Sequence, residues 1–474
     1  MKTGRFKYTI LIGVIIWTTG CKKYMQLPLP TDKIAGSAAY ANDNAAAAVI
    51  GGIYSKLVNM RILEGSFGIP CSASLYTDEM IATNGIGNST TFQLAYYSNA
   101  LNESISGLFW SQFYSQIYVT NVAIENIRNN TNLARRDQWL GEALFLRGFM
   151  YFYITNLFGK APMSLGSDYL VNNQLSRSPQ SEIYAQILKD LKEAQALLPV
   201  NYLTKDGGVT MDRARPNKYA VTALLARVYL YTKDWTNAEA QSTAIIDNSN
   251  TFKLETPAAV FLNNSREMIW GLAPVSFTVS DALDFLMEPG WTPAEHVINA
   301  TLSASLVNSF ETNDIRFTNW VGKSTGGTPA RDYYYPAKYK IRISSTYNEY
   351  LVVLRLGEQY LIRAEARAQQ DKITGGNSAT SDVNVIRNRA GLSPTTAATR
   401  SDMLNAIMKE RKVELFTEMG HRFFDLKRTD AIDGLMAVVT PQKGGVWSPL
   451  MQFWPIPRTD ILANPNLTQT PGYQ

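Results

Sequence analysis

The stretch RPNKYAVTALLARVYLYTKDWTNAEAQSTAIIDN, residues 215–248, decides the fold. Its apolar residues recur every three or four positions, which is the period of an α-helix that buries one face. The polar run Thr232–Asp234 divides the stretch into two halves. The apolar stripes of the two halves comprise Ala220, Leu224, Val228, Tyr231, Trp235, Ala238 and Ile245. We therefore predict two helices joined by a short turn.

Helical periodicity continues along the chain. The segment 179–199, PQSEIYAQILKDLKEAQALLP, follows a start signal at Ser178-Pro179 and ends at Pro199. Its apolar face comprises Ile183, Ile187, Leu191, Ala194 and Leu198. Similar helical stretches are expected at 104–128, 136–158, 355–370 and 401–419. The arrangement in 215–248 is similar to a tetratricopeptide helix hairpin, and such hairpins must stack to cover their apolar faces. The sequence predicts a mainly α fold built from tetratricopeptide-like hairpins.

Two long stretches lack this periodicity. Residues 60–103 and 271–350 are rich in Gly, Ser, Asn, Thr and aromatic residues. Long irregular segments in a compact protein usually carry function, so we predict a loop-rich, irregular subdomain that holds the binding loops. The segment YLVVLRL, residues 350–356, is either a short strand or the start of the next helix.

The N-terminus is typical of an exported protein. A basic start precedes an uncharged stretch of ten residues, Tyr8–Trp17, which is too short to cross a bilayer but suits a signal peptide. Gly20-Cys21 is similar to a bacterial lipoprotein processing site, although Thr18 stands where Leu is usual. We predict a signal peptide over residues 1–20, lipidation of Cys21, a tether over 21–36 and a folded body over 37–474. The alternative is an ordinary cleaved signal with an incidental cysteine.

The charge balance argues against nucleic acid as a partner. The chain has 45 basic and 40 acidic residues, and removal of Lys2, Arg5 and Lys7 with the signal leaves 42 against 40. That balance, without a run of Lys and Arg, is not the footprint of a nucleic-acid-binding surface. Lipidation of Cys21 would leave Cys71 as the one remaining cysteine, so no internal disulfide is expected. Cys71 is expected to be a small buried apolar residue.

Motifs for catalysis are weak. GKSTG, residues 322–326, matches a nucleophile elbow around Ser324, but Gly327, Thr328 and Pro329 follow where that motif needs a helix. The chain has two histidines and no zinc-ligand spacing. Glu410, Glu414 and Glu418 are spaced as paired carboxylates, but nearby Arg and Lys residues favour a structural ion-pair network. We predict no catalysis, no metal and no cofactor.

Several segments, taken in order, resemble the SusD/RagB family of outer-membrane lipoproteins from glycan uptake systems. They are WSQFYSQIYVTNVAIENI (110–127), GEALFLRGFMYFYITNLFGKAPM (141–163), ARPNKYAVTALLARVYLY (214–231), DVNVIRNRAGL (382–392), ERKVELFTEMGHRFFDLKR (410–428) and WPIPRTDILANPNLTQTPGY (454–473). The departures are small: Thr470 stands where Asn is usual, and Met419 loosens the usual Glu-Gly pair.

This resemblance implies a SusD-like helical fold on four tetratricopeptide-like units. It implies a non-catalytic, cell-surface glycan-binding lipoprotein that delivers oligo- or polysaccharide to a SusC-like TonB-dependent transporter. It also implies attachment to the outer membrane through the lipid on Cys21, facing the cell exterior. Acidic residues often follow the lipidated cysteine in surface-exposed members, whereas here the first acid after Cys21 is Asp32.

A sugar ring has a polar rim and an apolar face, so its site needs exposed aromatic rings beside amide, carboxylate or guanidinium groups. The two irregular regions contain such combinations. The candidate ligand-binding residues are Asp78, Asn84, Tyr96, Tyr97, Trp291, Trp320, Arg331 and Tyr334. Loop aromatics also plug protein scaffolds, and Asp78 is alternatively a brace for a helix.

Two other functions stay open on the sequence. One is a transporter-capping lipoprotein for peptides or another non-glycan nutrient, as RagB-like members suggest. The other is a lipid-anchored hydrolase that uses Ser324. Binding to peptides rather than glycans would indicate the first, and turnover lost in Ser324→Ala would indicate the second.

Overall fold

The computed structural model describes residues 38–83, 90–105, 107–296 and 298–473. The predicted signal peptide, Cys21 and the tether lie outside these residues. The helices are α1 (Asp43–Asn59), α2 (Ile69–Tyr76), α3 (Thr90–Tyr97), α4 (Gly107–Arg128), α5 (Arg136–Phe158), α6 (Tyr169–Asn172), α7 (Gln180–Leu197), α8 (Lys218–Tyr231), α9 (Trp235–Ile246), α10 (Ser280–Phe285), α11 (Ala304–Val307), α12 (Ile315–Trp320), α13 (Leu356–Gln369), α14 (Ala379–Arg389), α15 (Arg400–Glu414), α16 (His421–Arg428), α17 (Ile432–Gln442) and α18 (Arg458–Ala463), with 3-10 turns at Ala38–Tyr40 and Pro449–Gln452.

The strands are short and form antiparallel pairs. They are β1 (Met80–Ala82), β2 (Ala161–Pro162), β3 (Arg177–Ser178), β4 (Tyr202–Leu203), β5 (Val209–Thr210), β6 (Met268–Leu272), β7 (Ala300–Leu302), β8 (Val321–Gly326), β9 (Arg331–Pro336) and β10 (Leu351–Arg355). The pairs are β1 with β7, β2 with β3, β4 with β5, β6 with β10, and β8 with β9.

The prediction of a mainly α fold is confirmed. Helix α4 packs on α5, α5 on α7, α7 on α8, α8 on α9, and α9 on α13, so neighbouring helices cover one another in a continuous stack. Helices α13, α14 and α15 extend the stack and enclose a smaller cluster of their own, which includes Ala364, Val383 and Ile407. Each helical stretch predicted from periodicity contains a helix with bounds close to those expected.

Helix α8 shows why the opening stretch decides the fold. The Asn217 side chain accepts a hydrogen bond from the backbone N–H of Ala220 and thereby caps the helix start. Every residue from Ala220 to Tyr231 is buried, because α7, α9 and β-strand residues cover this helix from several sides. The Asp234 side chain caps α9 in the same way through the N–H of Asn237.

One boundary prediction needed adjustment, and the structure decides one alternative that the sequence left open. The predicted apolar face of α7 is buried, but its N-cap is Pro179 and Ser178 belongs to β3, so Ser178 does not cap the helix. Within the segment 350–356, residues 351–355 form strand β10, whose residues are all buried and which pairs with β6, and Leu356 begins α13. Both faces of this strand are covered, which explains why its sequence is apolar enough to suit a helix as well.

Cys71 is buried, as expected.

Candidate binding site

The two irregular regions meet at a small antiparallel ladder. Strand β1 from the first region pairs with β7 from the second, with Met80 opposite Leu302 and Ile81 opposite Thr301. The β8–β9 hairpin packs beside β7. Loops that are far apart in the sequence therefore form one surface.

A cleft of about 620 Å³ lies on this surface. Residues 81–83 form one wall, residues 331–334 of β9 form another, and Pro293 and Ala294 contribute from the loop before β7. Asn308 adds an amide group at the end of α11. This volume is within the range of small-molecule binding sites.

Of the predicted residues, Arg331 and Tyr334 lie together in this cleft. Tyr333 and Tyr334 are half-buried, so part of each ring is accessible. The Arg331 guanidinium carbon lies 5.1 Å from the centroid of the Tyr333 ring, and its Nε donates a hydrogen bond to the Tyr333 hydroxyl. The wall thus offers aromatic surface beside guanidinium and hydroxyl groups.

Asp332 also lines the cleft, with its charge already balanced. Its carboxylate accepts a hydrogen bond from Thr325 Oγ1 at 2.7 Å and pairs with Lys323 Nζ at 2.9 Å. These two partners, across the β8–β9 hairpin, lower the pKa of Asp332. The side chain is exposed, so the pair is screened by water.

The loop that carries Pro293 and Ala294 is held against the β8–β9 hairpin by hydrogen bonds and by close backbone packing. The Ser324 hydroxyl is buried and lies 3.0 Å from the carbonyl oxygen of Glu288 and 2.8 Å from that of Trp291. At Gly326 the backbones approach closely, because a Cβ there would lie 2.6 Å from the carbonyl oxygen of Gly290. Ser324 therefore has a positioning role in this loop.

Trp291 lies in the same loop but does not line the cleft. Its half-buried ring stacks on His296 with 3.9 Å between centroids and 6° between planes. The Arg342 guanidinium carbon lies 4.8 Å from the Trp291 centroid. Stacking of a sugar on Trp291 would compete with these two contacts.

Two of the predicted aromatic residues are in the core, so the expectation that they face a ligand is wrong. Trp320 is 0% exposed, and its Nε1 donates to the carbonyl oxygen of Pro257 at 2.7 Å. Tyr96 is also 0% exposed and packs against Trp454, with 4.9 Å between centroids. Trp320 follows Arg316 by about one helical turn, and the two side chains share the buried side of α12.

Asp78 is a brace and not a ligand-facing carboxylate. Its side chain is buried and accepts hydrogen bonds from Arg422 Nε at 2.8 Å, Lys412 Nζ at 2.8 Å and Ser305 Oγ at 3.0 Å. Burial opposes ionisation, but the two cations outweigh it and hold the pKa of Asp78 well below its usual range. Asp78 thereby ties the segment before β1 to α11 and to the C-terminal helices, which is the alternative that the sequence left open.

Of the two remaining predicted residues, Tyr97 does not line the cleft and Asn84 lies outside the part of the chain that the structure describes. Tyr97 is half-buried at the end of α3, where the Lys443 ammonium lies 5.2 Å from its ring centroid. Asn84 lies outside the described residues, directly after Thr83 in the cleft wall. The sequence did not single out several lining residues with small polar side chains, such as Thr83, Thr301 and Asn308. Only their final positions, directly after β1, on β7 and directly after α11, bring them together.

The three spaced glutamates form an ion-pair network, as predicted. Arg316 pairs with Glu410 at 2.5 Å and with Glu414 at 3.0 Å. Arg355 pairs with Glu414 at 2.6 Å and with Glu418 at 2.7 Å. All five side chains are buried, which fits a structural role.

A groove of about 670 Å³ lies elsewhere, among α9, α13, α15, α16 and α17. Several of its charged lining residues already pair with one another: Arg428 contacts Glu365 and Asp425. The cleft at β9 has the better match of accessible aromatic and polar groups, so we take it as the candidate site.

Comparison with known proteins identifies the family. A family model described as "Starch-binding associating with outer membrane" matches residues 57–230, and one described as "SusD family" matches residues 319–473. The chain belongs to the SusD/RagB family. It is 23% identical to a SusD-like protein of Formosa agariphila over 97% of each chain.

Solved structures show the same fold. A laminarin-binding SusD-like protein superposes with a TM-score of 0.75 and 22% identity, over 92% of this chain and 100% of that one. Surface glycan-binding protein A from Bacteroides fluxus gives 0.74 and 20%, over 91% of this chain and 99% of that one. Within the described residues, no helix combines the length and apolar character that crossing a bilayer requires.

Proposed function

We propose that this member of the SusD/RagB family is a non-catalytic, cell-surface glycan-binding lipoprotein that delivers oligo- or polysaccharide to a SusC-like TonB-dependent transporter. The observation that carries the proposal is the cleft in which Arg331, Tyr333 and Tyr334 present aromatic surface beside hydrogen-bonding groups. Such a surface suits the apolar face and polar rim of a sugar ring. The names of the laminarin-binding and surface glycan-binding relatives support the same ligand class.

The experiment is a calorimetric binding measurement on the protein produced from Lys22 onward, without the predicted signal peptide and Cys21. The probes are laminarin, starch, xyloglucan and arabinoxylan, with a casein peptide digest as the non-glycan arm. We expect saturable binding to at least one glycan, weakened about 2- to 10-fold by Tyr334→Ala, because one aromatic contact is lost. Tyr169→Ala is the matched control, since Tyr169 is 66% exposed on α6 and away from the cleft. Binding to peptides alone would instead favour the alternative nutrient class.

The anchoring part of the proposal rests on Cys21, where two or three acyl chains would hold the protein to the outer membrane. In the native host, Cys21→Ala should move the protein from the membrane fraction to the soluble fraction. Protease added to intact cells should cleave the wild-type protein if it faces the exterior. Co-purification with a TonB-dependent transporter from solubilised membranes would test the partner.

A further inference from the structure

A second cleft lies beside the first. It has a volume of about 590 Å³ and lies between the end of α11 and α12. Val307 lines both clefts. Across this boundary, the Phe317 ring of the second cleft lies 6.1 Å from the Tyr334 ring of the first, measured between centroids. Aromatic surface therefore continues from one cleft into the other.

The second cleft repeats the chemistry of the first. Phe317 is half-buried, and Ile315 is 40% exposed, so both offer apolar surface. Thr312, Asn313 and Thr318 are exposed around them and supply hydroxyl and amide groups. The same mixture of apolar faces and hydrogen-bonding groups is what a sugar ring requires.

The acidic side chains that line the described parts of both clefts have cationic partners. Glu311 pairs with Arg387 at 2.9 Å and with Lys409 at 3.0 Å. Asp314 pairs with Arg316 at 2.8 Å, and Asp332 of the first cleft pairs with Lys323. A cationic ligand would have to displace these partners, whereas an uncharged one leaves them in place.

The next step rests on the function proposed above. We propose that the two clefts form one continuous groove for a linear oligosaccharide that carries no cationic groups. One part of the chain contacts Tyr333 and Tyr334, and the part beyond Val307 contacts Phe317 and Ile315. A short oligosaccharide then occupies the first cleft only, and a longer one gains the contacts of the second.

The test compares ligand lengths. The probes are disaccharides and hexasaccharides of laminarin and of any other polysaccharide in the panel that the wild-type body binds, with disaccharide affinity measured by competition. We expect the wild type to bind the hexasaccharide about 10-fold more tightly than the disaccharide, as two or more added sugar contacts would give. Ile315→Ala removes apolar surface from the second cleft, and Thr312→Trp fills it. Both should weaken hexasaccharide binding about 3-fold or more and leave disaccharide binding unchanged.

Ile343→Ala is the matched control, because Ile343 is 88% exposed and lines neither cleft. Equal affinity of the wild type for both lengths, or no selective loss in the two variants, would overturn the continuous groove while leaving glycan binding intact. Failure of the wild type to bind any glycan in the panel would overturn the proposed function itself, and the groove with it. A general folding defect is distinguished by its equal effect on both ligand lengths.

Discussion

Asp78 lies within reach of two cations, Arg422 and Lys412, and its side chain is 3% exposed. Replacing it by Asn keeps the shape but leaves two half-buried cations without their carboxylate. We expect Asp78→Asn to lower the free energy of unfolding by about 3 kcal/mol, measured by urea denaturation. Asp332→Asn is the control, because Asp332 is exposed and its loss should change stability little. Equal effects of both variants would contradict the bracing role of Asp78.

Glu79, the next residue, predicts a pH dependence of stability. Burial raises the pKa of its carboxyl to about 7, and only the Ser74 hydroxyl hydrogen bond, at 2.6 Å, and the more distant cations oppose this effect. In the unfolded chain the pKa of a Glu is about 4.3. The stability that protonated Glu79 contributes is therefore fully present below that pH, and it is lost as the pH rises through about 7.

Glu79→Gln should remove this loss. We expect the free energy of unfolding of the variant to rise by about 3 kcal/mol relative to that of the wild type as the pH goes from 4 to 8, measured from urea midpoints at each pH. A constant difference between the two proteins across that range would contradict the raised pKa.

How far single residues could be predicted depended on what covers them. Arg331 and Tyr334 reach the cleft because residues 331–334 of β9 are left exposed or half-buried. Trp320 and Tyr96 have equally favourable side chains, but they are buried by Pro257 and Trp454, which are distant in the sequence. Composition predicts that a residue suits a ligand, whereas only packing decides whether it is exposed.

Between elements, the β8–β9 hairpin holds the loop over residues 287–296 in position through hydrogen bonds of Ser324. Ser324→Ala removes the buried hydroxyl that holds the carbonyl oxygens of Glu288 and Trp291. We expect a loss of about 1–2 kcal/mol in the free energy of unfolding and faster amide hydrogen exchange in residues 287–296. Thr325→Ala, on the same strand but exposed, is the control. Unchanged exchange in this loop would contradict the positioning role, and glycan turnover lost in Ser324→Ala would favour a hydrolase.

Helices were predictable because one buried face repeats every three or four residues, as Ile183, Ile187 and Leu191 show in α7. The irregular regions carry no such local rule. Their order comes from pairings such as Met80 with Leu302, and from short elements such as α2 that the composition did not indicate. The candidate site lies in these regions, so its location could be predicted only as two broad stretches.

For the whole molecule, buried ion pairs join the loop-rich part to the helical scaffold. Arg316 of α12 and Lys338 after β9 come from the second irregular region, whereas Glu410, Glu414 and Glu418 come from α15 and the turn after it. Burial opposes the charge on Glu414, yet Arg389, Arg355 and Arg316 hold its pKa well below its usual range. Because Arg316 and Lys338 of the loop-rich part pair with buried glutamates of the helical scaffold, the two parts should unfold as one cooperative unit.

Arg316→Met tests this coupling, because it leaves Glu410 and Asp314 buried without their shared cation. We expect a loss of about 3–5 kcal/mol in the free energy of unfolding. In urea, far-ultraviolet circular dichroism, which follows the helices, and tryptophan fluorescence should both shift to a lower midpoint by the same amount. Arg400→Met removes an exposed pair with Asp371 and serves as the control, with little expected change. Trp291 and Trp320 lie in the loop-rich part, whereas most other tryptophans lie in the scaffold. A separate fluorescence step at lower urea, with the circular-dichroism midpoint unchanged, would mean that the loop-rich part unfolds independently and that the cleft does not depend on the scaffold for its shape.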